Sequence, residues 1–385
     1  MNINQAIFLD NQSTTKLDDE VFKKMMPYFT ESYGNPHSIN HSFGRNAQFA
    51  TEAARKEIAE YLSANHQDVY FTSGATESNN IFIKGLANFS KVRNKRIITS
   101  KADHKCVLQS CKRLEEQGFD VEYLDIDKSG LIDLQNLENA LKTPTLLTSI
   151  MFVNNEIGTI QPIKEIGALC RQYGSFFHTD AAQAVGKMKI DVNELNIDAL
   201  SISGHKTYGP KGIGVLYVNT EARLQMTPLF DGGGQEKELR SGTLPTPLCL
   251  GLGEAIKKSA TEMNTTNSTI KTLRDKTLEL LTKGIPDIIL NGDIDNRIEG
   301  NLNLRVPGID ANALINNIPN IAISTGSACT SGFIERSHVL KSLGLTDEEA
   351  SYSFRIGIGK YNTEEEIEIA SNAIINAVNK IKKIN

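Results

Sequence analysis

The stretch Ser201-Ile-Ser-Gly-His-Lys206 decides how the chain is read. The run that leads into it, Ala199-Leu-Ser-Ile-Ser203, predicts a short buried strand, and Tyr208-Gly-Pro-Lys-Gly-Ile-Gly214 follows as a glycine-rich bend. A lysine delivered by a strand end into such a bend can be held in a cleft. There, partial desolvation lowers its pKa and its aim at an aldehyde is fixed, as a Schiff-base lysine requires. The same residues also suit a solvated lysine in a surface loop. The rest of the chain separates the two readings.

Around Lys206, β-rich runs alternate with amphipathic helical stretches. Strands are expected at Val69–Thr72, Arg96–Thr99, Val121–Leu124, Thr148–Val153, Ser175–His178, Ala199–Ser203 and Val215–Val218. Helical patterns fill the gaps, as at 47–62, 107–117 and 163–173. Several strands are apolar throughout, which predicts burial on both faces. This βαβ rhythm predicts an α/β fold with a mostly parallel, doubly wound sheet, and ligands bind such sheets beyond the carboxyl ends of the strands.

Near Thr261-Glu-Met-Asn-Thr-Thr-Asn-Ser-Thr269 the chain turns polar and small, which reads as a linker to a second domain. That part holds a helix at 270–283, strands near Ile288–Leu290, Asn301–Arg305 and Phe354–Ile358, and a final helix at 363–383. Thr363-Glu-Glu-Glu366 predicts a capping box opening that last helix. The alternation in Asn301-Leu-Asn-Leu-Arg305 predicts a half-exposed sheet.

Composition narrows the class. The 385 residues carry 41 basic and 46 acidic side chains, a net charge of -5 with no long run of one sign. Neither direct nucleic-acid binding nor an anionic membrane partner is expected. The first ten residues lack a signal-peptide pattern, and no stretch is apolar enough to span a bilayer. Five cysteines without a paired metal pattern fit reduced thiols in the cytoplasm, most of them small buried hydrophobes.

The chemistry-bearing motifs all fall at strand ends. Val69–Thr72 runs into Ser73-Gly-Ala-Thr-Glu-Ser78, whose backbone N–H groups and Thr76 at a helix start form a phosphate cradle or an ordinary N-cap. Ser175–His178 runs into Thr179-Asp-Ala-Ala-Gln183. Asp180 there could be a helix cap, a metal ligand or the partner of a heterocyclic cation, and Ala181 and Ala182 let a flat group approach. Asn154-Asn-Glu156 and Asp103-His104 lie at the same predicted edge.

Together, Gly74-Ala-Thr76, Asp180 with Gln183, and Ser203-Gly-His205-Lys206 resemble the class V aminotransferase type of fold-type I pyridoxal-phosphate (PLP) enzymes. Leu9-Asp-Asn-Gln-Ser-Thr-Thr15, Gly34-Asn-Pro-His-Ser-Ile-Asn-His41, Val153-Asn-Asn-Glu-Ile-Gly158, Gly232-Gly-Gly-Gln-Glu236, Arg240-Ser-Gly-Thr243 and Gly326-Ser-Ala-Cys-Thr-Ser-Gly332 narrow it. They resemble the cysteine desulfurases, in the iron–sulfur-assembly branch with a long cysteine loop. The match covers nearly the whole chain in order. It implies a large PLP-binding domain at 16–260 and a smaller α+β domain, 1–15 plus 261–385, carrying the cysteine loop.

The resemblance assigns roles residue by residue. Lys206 matches the lysine that joins the cofactor aldehyde, Asp180 the partner of the pyridine nitrogen, Gln183 the contact to the ring hydroxyl, and His104 the residue stacked on the ring and active in proton transfer. Thr76, Ser203 and His205 match phosphate ligands, with Ala75 supplying backbone. Thr243 matches a phosphate ligand reaching in from a second subunit, which implies a homodimer. Asn155 and Arg355 match residues near cofactor and substrate, with Arg355 on the substrate carboxylate. Cys329 matches the nucleophile that takes sulfur from L-cysteine as a persulfide and leaves L-alanine; as a site in its own right it also fits a cysteine before the helix 339–343. The other four cysteines read as structural. In some family members the loop cysteine also ligates a [2Fe-2S] cluster shared with a scaffold. The implied sulfur acceptors are an iron–sulfur scaffold protein and tRNA-thiolation carriers.

Gln12-Ser13 stands where Ala-Ala is commoner, Thr325 where Ser is common, and Lys360 where arginine is usual. The sequence given stops at Asn385, short of the family's scaffold-docking tail, which leaves the docking mode open. Selenocysteine lyase or another class V activity is the rival within enzymes, and an inactive interaction protein the rival outside them. Cys329 between glycines speaks against a plain transaminase, and intact Lys206, Asp180 and His104 against an inactive protein.

Overall fold

The computed structural model describes residues 6–89, 91, 94–325 and 336–383. Its strands are β1 (Ile7–Phe8), β2 (Val69–Thr72), β3 (Arg96–Ser100), β4 (Asp120–Leu124), β5 (Leu147–Ser149), β6 (Phe176–Asp180), β7 (Ala199–Ser203), β8 (Gly214–Val218), β9 (Ile289–Leu290), β10 (Asn301–Arg305), β11 (Ile321–Ala322) and β12 (Ser353–Gly357). Seven of them form one sheet in the order β2-β8-β7-β6-β5-β3-β4. Its neighbours pair in parallel except at β8, which runs antiparallel to both β2 and β7. This is the expected α/β architecture.

The apolar runs in these strands follow from burial on both faces. Phe71, Ile98, Leu200 and Val215 pack into one core with the helices Ser42–Leu62 and Ile163–Tyr173. Their neighbours Tyr70, Ile97, Ala199 and Leu216 pack into another with Ala75–Ala87 and Lys105–Glu115. Each fully buried Leu or Ile contributes roughly 1.5–3 kcal/mol, which drives the chain to cover both sides.

One expected strand is shorter than its apolar run. β5 ends at Ser149 because the next N–H facing β3, that of Met151, donates to the Asp103 carboxylate at 2.8 Å. On the β6 side Ile150 and Phe152 N–H still donate to the carbonyls of His178 and Asp180.

The polar stretch Thr261–Thr269 is not a linker. It lies inside one helix, Thr246–Gly284, of 39 residues. Cys249, Leu252 and Ile256 at its start belong to the core of the large sheet. Ile270, Leu273 and Leu281 nearer its end belong to a separate core with Leu302, Leu304, Phe354 and Ile356. The polar segment crosses the gap between the two cores, where no apolar face is needed.

That second core is built on the antiparallel sheet β12-β10-β9 and the capped helix Glu364–Lys382, with Thr363 and Glu366 forming the expected capping box. β10 departs from the half-exposed expectation. Asn301 and Asn303 are buried, and both amides donate to the Glu156 carbonyl at 3.1 Å. Asparagine here is an interior hydrogen-bonding residue.

Gly214 marks the closest approach of β8 to the turn after β2. A Cβ there would lie 2.4 Å from the Ile202 carbonyl oxygen and 2.5 Å from Gly74 Cα, both main-chain atoms. Gly214→Ala is expected to destabilise the fold by about 1–3 kcal/mol, the usual cost of overpacking, measured by urea-induced unfolding.

Candidate active site

The carboxyl ends of β2, β6 and β7 open onto one cleft of about 1180 Å³, counting its mouth. Ala75, Thr76, His104, Asn155, Asp180, Gln183, Ser203, His205, Lys206 and Arg355 all line it. They come from segments far apart in sequence; all but Arg355, which comes from β12 of the smaller sheet, are gathered because the parallel strands of the large sheet end on the same side. Thr243 does not line it. It is exposed, on the chain entering the helix Thr246–Gly284. Cys329, the expected nucleophile and cluster ligand, lies outside the described residues.

Lys206 follows β7 in a single helical turn, Gly204–Lys206. Its Nζ donates to the carbonyls of Gln12 and Ser13, each at 2.6 Å. The Gln12-Ser13 departure from Ala-Ala is therefore harmless: the main chain makes these contacts. Gln183 Nε2 donates to the same Gln12 carbonyl at 2.8 Å, and Lys187 Nζ donates to Gln183 Oε1 at 3.2 Å. Burial, then the nearby charge of Lys206, pulls the Lys187 amine down to about 7.

Asp180 closes β6 and is 7% exposed. Its Oδ2 accepts from Asn79 Nδ2 at 2.7 Å and its Oδ1 from Ala182 N–H at 3.0 Å. Among the described residues no cationic side chain forms an ion pair with it. A buried carboxylate facing a cleft calls for a cation, and a protonated heterocycle would supply one.

His104 caps the helix Lys105–Glu115. Its Nδ1 accepts from Cys106 N–H at 3.3 Å and lies 3.0 Å from Cys106 Sγ. Accepting at Nδ1 leaves the neutral ring's proton on Nε2. The ligand atoms of His104, Cys106 and Asp180 lie within 4.8 Å of one another. Cys106 Sγ and Asp180 are already tied by the Asn79 amide, so the group reads as a hydrogen-bonded network. Cys111, Cys170 and Cys249 are buried, as expected of structural cysteines; Cys106 instead lines the cleft.

At the phosphate end, Gly74 opens the helix Ala75–Ala87 with no side-chain cap on its first N–H groups. His205 Nδ1 sits 3.1 Å from Thr14 Oγ1, and burial followed by the charges of Lys206 and Lys211 lowers its pKa to about 4. Uncapped N–H groups with hydroxyls and an imidazole suit a dianion. Opposite, Arg355 reaches from β12. Its Nη1 donates to the Asn155 carbonyl and its Nη2 to Asp10 Oδ1, both at 2.7 Å. Lys360 lies apart, paired with Asp18 at 2.6 Å.

Sequence reasoning missed Asp10, Asn79 and Cys106. Asp10 sits in the quoted Leu9–Thr15 motif, yet nothing there points to Arg355, 345 residues away. Cys106 stands two residues from His104, a spacing that carries a signal only once the helix cap is known.

The matching family model is aminotransferase class-V, over residues 7–369. The chain is 50% identical over 383 residues to cysteine desulfurase IscS of Ehrlichia chaffeensis, covering 99% of this chain and 93% of that one. Identity to cysteine desulfurase IscS of Rickettsia bellii is also 50%, with 100% and 93% covered. The chain belongs to the cysteine desulfurase family. Among solved structures, a NifS-like protein superposes with a TM-score of 0.91 at 33% identity, covering 97% of this chain and 99% of that one. A NifS-like protein from Rickettsia africae gives 0.85 at 30% identity, with the same coverage. This is a PLP enzyme family, and the fold is its fold. Among the described residues no helix is long and apolar enough to cross a membrane.

Beneath the cleft, His178 is fully buried between Ser149 Oγ at 2.8 Å and Ser201 Oγ at 3.1 Å, and its ring stacks on Phe82. Burial lowers its pKa from 6.5 to about 4, against an opposing pull from Asp180. A folded pKa below the unfolded one means that unfolding takes up a proton, so this group's share of stability falls as pH drops from 6.5 towards 4. Buried Asp103, raised to about 7 by desolvation, works in the opposite sense, so a variant must isolate the histidine. His178→Asn is expected to gain on wild type by about 2–3 kcal/mol between about pH 7 and about pH 4.5, measured as the difference in urea unfolding free energy of the apoproteins.

Proposed function

We propose that this cysteine desulfurase binds pyridoxal 5'-phosphate in the cleft at the ends of β2, β6 and β7 and converts L-cysteine to L-alanine, with the sulfur leaving as a persulfide on Cys329. The carrying observation is the convergence of Lys206, Asp180, Gln183, His104 and the Ser73–Thr76 turn around a single cleft. Asp180 would pair with the ring nitrogen, Gln183 with the ring hydroxyl, His104 with the ring face and Lys206 with the aldehyde. Ala75, Thr76, Ser203 and His205 would hold the phosphate. When bound, the cofactor supplies an electron sink conjugated to the substrate's α-carbon.

The chain's own residues do the rest. Arg355 and Asn155 orient the substrate, Arg355 by a charge-assisted grip on its carboxylate. The freed Lys206 amine moves the proton at the α-carbon, with His104 placed to carry protons near the ring. Cys329, as thiolate, attacks the substrate sulfur. The carbon–sulfur bond breaks with its electron pair left on carbon, and a proton there completes alanine. The persulfide sulfur then passes to an acceptor, an iron–sulfur scaffold protein or a tRNA-thiolation carrier, in keeping with the family resemblance.

A homodimer is part of this proposal. Thr243 is exposed and away from its own cleft, as a residue serving the other subunit's phosphate would be. Phe22, Met26, Phe29, Phe43 and Phe49 leave apolar surface exposed on the N-terminal helices, which a second copy would cover. The proposed compartment is the cytoplasm, where the free thiols Cys106, Cys111, Cys170 and Cys249 would stay reduced.

Cys329→Ala is expected to retain the visible absorbance of the PLP-loaded protein while cysteine turnover falls below about 1% of wild type. Alanine and persulfide formation are the readouts, and full desulfuration by this variant would sink the assignment. Arg355→Lys keeps the charge but loses the two-pronged geometry. It is expected to raise KM for L-cysteine about tenfold or more in steady-state alanine assays.

A further inference from the structure

Asn79 lies one turn into the helix Ala75–Ala87 and is fully buried. Its Nδ2 donates both to Asp180 Oδ2 at 2.7 Å and to Cys106 Sγ at 3.0 Å. Its Oδ1 is buried without a hydrogen-bond partner among the described residues. Both of its amide partners, Asp180 and Cys106, line the cleft. Asp180 Oδ1 is held separately by the Ala182 N–H. With one N–H on each oxygen, the plane of the carboxylate is held from both sides.

The helix that carries Asn79 is also the one whose N-terminal turn, Ser73–Thr76, lines the phosphate end of the cleft. The two ends of the site, anion cradle and buried carboxylate, are therefore tied to one rigid element. We propose that Asn79 is a positioning residue: its amide N–H fixes the plane of the Asp180 carboxylate, and through Asp180 the hold on the pyridine nitrogen. The inference rests on the PLP reading above. Asn79 acts through Asp180 and touches no reacting atom.

The experiment measures the PLP dissociation constant of wild type, Asn79→Leu and Asn79→Asp across pH 6 to 9, together with the melting temperature of each apoprotein. Loss of one hydrogen bond to a charged acceptor is expected to weaken PLP binding about tenfold to a hundredfold in Asn79→Leu at every pH. Asn79→Asp is near-isosteric and reads the mechanism. A protonated carboxyl can donate to Asp180 as the amide does; an ionised one faces it as a like charge. Its PLP affinity should approach wild type at the acid end and fall increasingly below it as pH rises.

A variant pair that binds PLP as wild type does overturns the proposal. So does a pH-independent loss in both that tracks a matching drop in apoprotein melting temperature, because that is the signature of packing alone. Failure of wild type itself to bind PLP overturns the cofactor reading, and this one with it; normal binding by the variants overturns only the role of Asn79.

Discussion

A buried carboxylate with no ion-pair partner among the described residues is the constraint around which this molecule is arranged. Asp180 sits at the last position of the central strand β6, and among the described residues its hydrogen-bond donors are the Asn79 amide and the Ala182 N–H. Isolated charge in a poorly solvated place is costly. It persists where a partner is to arrive from outside, and the cleft in front of Asp180 is the route by which one can. Lys206 in the turn after the neighbouring strand β7 and His104 after β3 border the same opening. The parallel sheet makes this possible: it lines up strand ends, so residues more than a hundred positions apart meet without long excursions.

Second contacts then hold the functional side chains in place. Gln183 is clamped between Lys187 and the Gln12 carbonyl, and Arg355 between Asp10 and the Asn155 carbonyl. Much of this scaffolding comes from the N-terminal segment, which bonds to β12 through the Asp10–Gly357 bridge and to β11 through β1. One short stretch of chain therefore positions Lys206 on one side and Arg355 on the other.

Most of the fold was legible in the sequence because its signals were local. Val69–Thr72, Ala199–Ser203 and Asn301–Arg305 were each read with their observed limits, as apolar or alternating runs between polar turns. The failures were cases where a distant partner overrode the local signal. Thr and Asn are weak helix formers, so Thr261–Thr269 reads as a break; it stays helical because both flanks are anchored in cores the local pattern does not show. Asn303 reads as solvent-facing, yet the Glu156 carbonyl receives it indoors. Most of the cleft-lining residues were legible because they end or follow a strand; Arg355, inside β12, came only from the family resemblance. Asn79 was not legible, since its partner Asp180 lies 101 residues on.

The helix Thr246–Gly284 carries a mechanical consequence. An unstructured joint between the two cores would let them swing and would vary the gap between Lys206 on one and Arg355 on the other. A continuous α-helix is a stiff strut. It resists hinging and converts any relative motion into slight flexure. The distance across the cleft thereby behaves as a gauge set once at folding, so a molecule of the wrong length would meet only one of the two jaws.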